Sequence, residues 1–298
     1  MNNPILAFSG KRRMRSIRTP LLLTLYSLAI AVITFIFVYN SFLSPTLTIS
    51  QMGASVDKYA LIIVLQFGLL ILIAPTMTAG CITGERERQT LDLLLVTNTN
   101  SFQIVLGKLL ESFGFLALLV LCSAPSLSFV LLTGGASIMQ LLLCLLFLLA
   151  IALATSCVGL FFSSFLKRTV TSTVLTYITI FAIGIVTLLP LFHDVRRIGE
   201  IFDSINIAGK ELVPITYVPI SFVTNPGLAL FSLLSDQTSF FDNYLYEISY
   251  TIANTRSLID YNRFAIYHII FLFSASIVLI LFSSLNVRGL KIAKGKKK

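Results

Sequence analysis

The residues able to do chemistry are few in this 298-residue chain, and their spacing keeps them apart. Only two histidines occur, His193 and His268, and neither has a cysteine or a paired acid nearby, so neither reads as a metal ligand or a general base. Cys81, Cys122, Cys144 and Cys157 all fall in or beside apolar runs. Without the Cys/His spacing of a zinc site they read as buried free thiols rather than a disulfide framework. The stretch 289–298 sets two glycines among lysines, but the spacing departs from GxxxxGK[ST] and no Ser or Thr closes it, so it is not a P-loop. No HExxH run and no nucleophile elbow occurs. Glu111 is the one acidic residue inside an apolar run, three positions after Lys108, with which it can pair. The chain therefore reads as one with no catalytic constellation and no metal or cofactor of its own.

Two charged segments stand out instead. The first carries Lys11, Arg12, Arg13, Arg15 and Arg18 among Ile5, Leu6, Phe8, Met14 and Ile17, with Gly10 interrupting. It reads either as an amphipathic helix lying in the interface with arginines toward phosphate headgroups or as a plain basic anchor. The second runs Thr83-Gly84-Glu85-Arg86-Glu87-Arg88-Gln89-Thr90-Leu91-Asp92-Leu93-Leu94-Leu95 and ends in a polar Asn/Thr/Ser turn. On a short helix, Leu91, Leu94 and Leu95 share one face, with Asp92 and the Glu/Arg run elsewhere. An apolar ridge with a charged rim suits docking into a partner's groove. The alternative is a surface loop held by its own charge pairs. Ser101 is expected to cap the helix that follows.

These segments are set between long apolar runs. Spanning the hydrocarbon core takes about 20 apolar residues, and runs at 20–42, 59–79, 102–132, 138–165 and 264–285 qualify. A sixth, at 171–192, is rich in threonine but uncharged, and its hydroxyls can bond back one turn. Pro125 is expected to kink the third run. The run 213–234 is also apolar, but Pro214, Pro219 and Pro226 argue against a seventh crossing and for a re-entrant or surface-lying element. Composition agrees: 56% of residues are hydrophobic and 12% charged, against about 25% charged in a soluble domain, and the mean hydropathy is +0.91. The net charge of +9 gathers beside the apolar runs, which points to lipid headgroups rather than nucleic acid. With six crossings, one side collects sixteen of the 22 Lys and Arg residues and four of the 13 acids, so that side is expected to be cytoplasmic. The expectation is an all-α integral membrane protein with both ends inside. It divides into a connecting segment (1–19), spans one to five (20–192), an extracytoplasmic segment with short helices (193–263), a sixth span (264–286) and a basic tail (287–298).

The run Gly84-Glu85-Arg86-Glu87-Arg88-Gln89-Thr90-Leu91-Asp92-Leu93-Leu94, followed by Ile104-Val105-Leu106-Gly107-Lys108, resembles the signature of the type-2 ABC exporter permeases, where it occupies the cytoplasmic connection between spans two and three. Asn3-Pro4-Ile5-Leu6 with Arg13-Met14-Arg15-Ser16, and more loosely Asn225-Pro226, are similar to one bacterial branch of that family. The resemblance implies a permease subunit in a bacterial plasma membrane, paired with a second, identical or homologous, subunit and driven by a separate cytosolic ATP-binding subunit. ATP and magnesium would be held by that partner. It further implies that Glu85, Arg86, Glu87, Arg88, Thr90, Leu91, Asp92, Leu94 and Leu95 couple to the ATPase together with Arg12, Arg13 and Arg15. Force would then pass directly into span three, and Thr173, Thr176 and Tyr177 would line the pathway between subunits. A rival class is a membrane scaffold or sensor that binds an extracytoplasmic ligand. A secondary transporter is disfavoured, because acids at the midplane of broken helices are missing.

Overall fold

The protein is seen in a computed structural model that describes residues 17–42, 49–91, 100–131, 137–190, 220–234 and 261–295, with His193 and Arg196 as isolated positions. Arg12, Arg13, Arg15, Asp92, Leu94, Leu95 and most of the 193–263 segment lie outside the described residues. Within them the chain is helical and has no strand. The helices are α1 (Arg18–Phe42), α2 (Ile49–Thr78), α3 (Thr83–Glu87), α4 (Ser101–Leu131), α5 (Ile138–Phe165), α6 (Thr169–Val186), α7 (Ile220–Thr224), α8 (Pro226–Leu234) and α9 (Tyr261–Gly295). Six of them, α1, α2, α4, α5, α6 and α9, are long and apolar enough to cross a membrane, the pattern of a multi-pass membrane protein.

Helix boundaries depart from the apolar runs where polar residues extend a helix beyond its lipid-facing part. α2 begins at Ile49, ahead of its apolar run, and α9 continues through Arg288 and Lys291 to Gly295. Lysine and arginine are good helix formers and suit a helix C-terminus, so the basic tail prolongs α9 rather than ending it. α4 starts at Ser101, and Asn100 takes the cap position expected for Ser101: its carbonyl accepts from Ile104 N at 3.1 Å and its N–H donates to Gln103 Oε1 at 3.2 Å. A full capping box opens α5, with Ser137 and Gln140 each bonding the other's backbone. α2 and α4 run through Pro75 and Pro125 without ending.

α5 is apolar on all sides and sits at the centre, packed against α2, α4, α6 and α9. Phe147 and Leu148 of α5 meet Tyr59 and Ile63 of α2, Leu116 of α4 and Ala265 of α9 in the main cluster. A second cluster near α3 joins Ile82, Leu91, Val105, Leu109, Leu160 and Val287. Because lipid tails are as apolar as leucine, close approach and hydrogen bonds must supply much of the helix-to-helix specificity. Gly159 of α5 shows this: a Cβ there would lie 2.0 Å from Thr78 Oγ1 and 2.7 Å from Thr78 Cβ. Gln66 of α2, fully buried, donates through Nε2 to Ser123 Oγ of α4. The threonines of α6 bond back as their spacing suggested, Thr173 to the Thr169 carbonyl at 3.0 Å and Thr176 to that of Ser172 at 2.7 Å.

The proline-rich 213–234 run shows no seventh long helix among its described residues. Its described part is the pair α7 and α8, of 5 and 9 residues, and nine helical residues reach only about 14 Å. Nor does α8 lie on the surface: Ala229, Leu230, Leu233 and Leu234 are buried against α5 and α9. Asn225-Pro226 explains its start. Asn225 Oδ1 accepts from Gly227 N at 2.8 Å and Leu228 N at 3.0 Å, and Pro226 takes the first helical position, where its missing N–H costs nothing. Gly159→Ala should lower stability by about 1–3 kcal/mol, since the added methyl must force α2 and α5 apart. Unfolding of the purified protein in micelles checks this, and an unchanged midpoint would show that the crossing is loose.

Candidate functional site

The charged run Glu85–Arg88 forms and follows α3, a single turn that cannot hold itself together. Both of its ends are closed by specific contacts. Ile82 N and Thr83 N donate to Ser163 Oγ of α5 at 2.8 and 3.0 Å, so a side chain from another helix satisfies the first orphan amides. At the other end Gln89 adopts φ 59. Thr90 N reaches the Glu85 carbonyl at 2.9 Å and Gln89 N the Arg86 carbonyl at 3.1 Å, the paired bonds of a Schellman motif.

Each charge then finds a different helix. Glu85 Oε1 accepts from Lys108 Nζ of α4 at 2.8 Å, and Glu85 Oε2 from Thr90 Oγ1 at 2.6 Å. Glu111 Oε2 lies 3.5 Å from the same Lys108 Nζ, the pairing its spacing suggested. The Lys108 side chain is only 8% exposed, so both carboxylates are needed to hold its charge away from water. Arg86 points to the C-terminus of α5, donating from Nη1 to the Leu166 carbonyl and from Nη2 to the Ser164 carbonyl at 3.3 Å. Asn286 Nδ2 of α9 reaches that Ser164 carbonyl at 2.7 Å. Glu87 points to the N-terminus of α6, where its carboxylate accepts from Thr169 N at 2.6 Å and from Thr169 Oγ1 at 2.8 Å. The α6 N-cap residue, Arg168, makes no side-chain cap of its own, so Glu87 supplies it from another helix. Neighbouring side chains of opposite sign thus sit on helix ends of opposite polarity.

The outward rim is correspondingly narrow. Glu85 and Arg86 are half-buried, while Glu87, Arg88, Gln89 and Thr90 are exposed. Leu91, expected on an outward ridge, is 6% exposed and packs in the second cluster with Ile82, Leu109 and Leu160. Of the residues expected along a pathway, Thr176 is fully buried in the chain's own bundle, Thr173 is half-buried, and Tyr177 Oη donates to the Leu72 carbonyl of α2, in the turn that Pro75 perturbs. Ser163, Ser164, Thr169 and Asn286 were not singled out in the sequence. For the first three the sign was a cluster of small polar residues beside Lys167-Arg168, where one span ends and the next begins; Asn286 had none.

His268 is fully buried, with Nδ1 2.7 Å from the Val223 carbonyl and its ring against Phe147. It ties α9 to α7. Among the described residues no three His, Cys, Asp or Glu side chains gather as a metal site. The four cysteines are free; Cys144 and Cys157 are buried, Cys81 is half-buried and Cys122 lies on an outer face. No family model and no curated protein matches the chain.

Lys108→Ala should cost about 2–3 kcal/mol. That is below the figure for a fully buried pair, because Glu85 keeps some water contact. Adding Glu85→Gln to Lys108→Ala should recover part of the loss, and a double-mutant cycle on unfolding free energy would show it. Strictly additive losses would remove the ion pair from the account of this turn. Gln89→Val should cost about 1–2 kcal/mol more than Gln89→Gly, because a β-branched residue is strained at positive φ. Equal melting of the two variants would contradict the Schellman geometry.

Proposed function

We propose that this chain is the membrane-spanning subunit of an ABC exporter. Two such subunits form the translocation pathway, and a separate cytosolic ATPase docks at the α3 turn. The observation that carries the reading is α3 itself. A one-turn helix between the second and third apolar spans is closed at both ends and tied by separate side chains to α4, α5 and α6. A turn that only reverses the chain needs no such bracing, whereas one that receives force does. The resemblance of Gly84–Leu94 and Ile104–Lys108 to the exporter permeases supports the same reading. So does the exposure of Arg88, Lys167, Arg168 and Arg288 at the α3 end of the bundle, the side read as cytoplasmic.

In this arrangement both termini are cytoplasmic, the membrane is a bacterial plasma membrane, and the 193–263 segment lies outside. The largely apolar spans suit a hydrophobic, lipid-like or peptidic cargo better than an ion. Docking falls to Arg88 and the Leu94–Leu95 stretch, since Glu85, Arg86 and Glu87 have partners within the chain. Charge reversal at Glu85 or Glu87 would therefore damage the turn and leave docking untested. Arg88→Glu combined with Leu94→Ala and Leu95→Ala is the better probe.

The wild-type chain, isolated from its own membranes, should bring along an ATP-hydrolysing subunit. The triple variant should weaken that association about tenfold or more at unchanged melting temperature, given about 2 kcal/mol for truncating an interface anchor. If no ATPase accompanies the wild-type chain, or the triple variant retains it in full and transports normally, the exporter reading fails.

A further inference from the structure

α6 is the least buried of the six long helices. Only 11% of its membrane-length window is buried, against 17% for α1, 22% for α9 and 56% for α4 and for α5. Its buried residues are Ser172 and Thr176, both small and polar. Val170, Val174, Ile178, Phe181 and Ile185 are exposed on its outer side, where lipid serves them as well as protein would. Moving α6 therefore forfeits little packing, and its position must be set by polar ties.

Among the described residues such ties lie at both ends of α6 and between them. At the far end Asn225 Nδ2 donates to the Gly184 carbonyl at 2.8 Å and to Thr187 Oγ1 at 2.9 Å. Asn225 is itself fixed, because its Oδ1 caps α8 and α8 is buried in the bundle. In the middle, Tyr177 holds the Leu72 carbonyl. At the near end the main tie is Glu87, an exposed side chain on a one-turn helix, which binds both the N–H and the hydroxyl of Thr169; the same hydroxyl also lies 3.2 Å from Thr83 Oγ1. Gly80 lets the two come together: a Cβ on it would lie 3.2 Å from Thr169 Cγ2.

We propose that α6 is a latched span that pivots at Asn225, with the Glu87–Thr169 contact as its releasable catch. Glu87 is a positioning residue: it acts on the membrane interior only by holding the first turn of α6. Whatever displaces α3 releases the near end of α6, while the far end stays with α8. The inference does not depend on an ATPase being the partner, and it is tested on this chain alone.

Thr169→Pro is a clean way to open the catch. Thr169 is the first helical residue, where proline is favoured, and Arg168 before it already has the extended backbone that precedes a proline (φ −116, ψ 134). The substitution removes the N–H and the hydroxyl that Glu87 binds, and with the hydroxyl its contact to Thr83, without disturbing the helix. Full-length protein in phosphatidylethanolamine/phosphatidylglycerol nanodiscs, with Cys81 and Cys122 replaced by alanine, would carry spin labels at exposed positions. One pair, Phe102 and Val170, reports the near end, and another, Ile138 and Ile185, reports the far end. Pulsed dipolar distances should show a new, longer population for the near pair in both Glu87→Ala and Thr169→Pro. The far pair should stay unchanged, and Thr169→Ser, which keeps both donors, should match the parent protein. Near-pair distances in both variants that superimpose on the parent would overturn the proposal. Equal broadening of both pairs would also overturn it, since that reports general loosening rather than a catch.

Discussion

The structure turns on the corner between α5 and α6. There one helix presents unsatisfied carbonyls and the next, three residues later, presents unsatisfied amides. Two opposite partial charges lie side by side at the end of the bundle, and one side chain cannot answer both. Arg86 and Glu87, adjacent in sequence, answer one each. The alternation of sign in the Glu85–Arg88 run is thus a requirement of geometry. Exchanging the two residues would set a carboxylate against carbonyls and a guanidinium against amides. Glu85 adds a third direction through Lys108, so a one-turn helix fixes the relative placement of α4, α5 and α6 at this end.

The same logic extends through the bundle because the solvent is lipid. Apolar contact between helices gains little over contact with acyl chains, so backbone proximity and polar contacts choose the arrangement. Gly159 against Thr78 sets the crossing of α2 and α5, and Gln66 with Ser123 ties α2 to α4. Asn225 and His268 place the short α7–α8 pair against α6 and α9. A polar chain consequently runs from α3 through Glu87 to α6, on through Asn225 to α8, and by Val223 and His268 to α9. It links the two ends of the molecule around the apolar core.

Features that depend on local composition were legible in the sequence. Six long apolar helices follow from run length, the threonines of α6 bond back as their spacing allows, and the described part of 213–234 holds only short helices, one of them opened by Pro226. The Glu111–Lys108 pair was visible at three residues' separation. The engagement of Glu85, Arg86 and Glu87 by other helices was not, because Arg86 and Glu87 bind helix ends about 80 positions away in sequence. Periodicity placed Leu91 on a ridge with Leu94 and Leu95. It could not show that Ile82, Leu109 and Leu160 would gather around that leucine. A charged run beside an apolar one looks outward by default, and only the position of α5 and α6 reverses that expectation.

This reversal changes how a push on α3 would travel. The sequence alone suggested a route straight into α4, since the connection leads there along the chain. The contacts add two lateral routes, through Arg86 to the end of α5 and through Glu87 to the start of α6. α5, packed against α2, α4, α6 and α9, resists displacement, whereas α6 has little packing to lose. Of the three helices that α3 touches, α6 is therefore the one a given force moves furthest, and Tyr177 then bears on the turn of α2 that Pro75 has weakened. Under the exporter reading, that makes the α2–α6 seam, rather than the axis of α4, the place where work done at the cytoplasmic face becomes a change of shape inside the membrane.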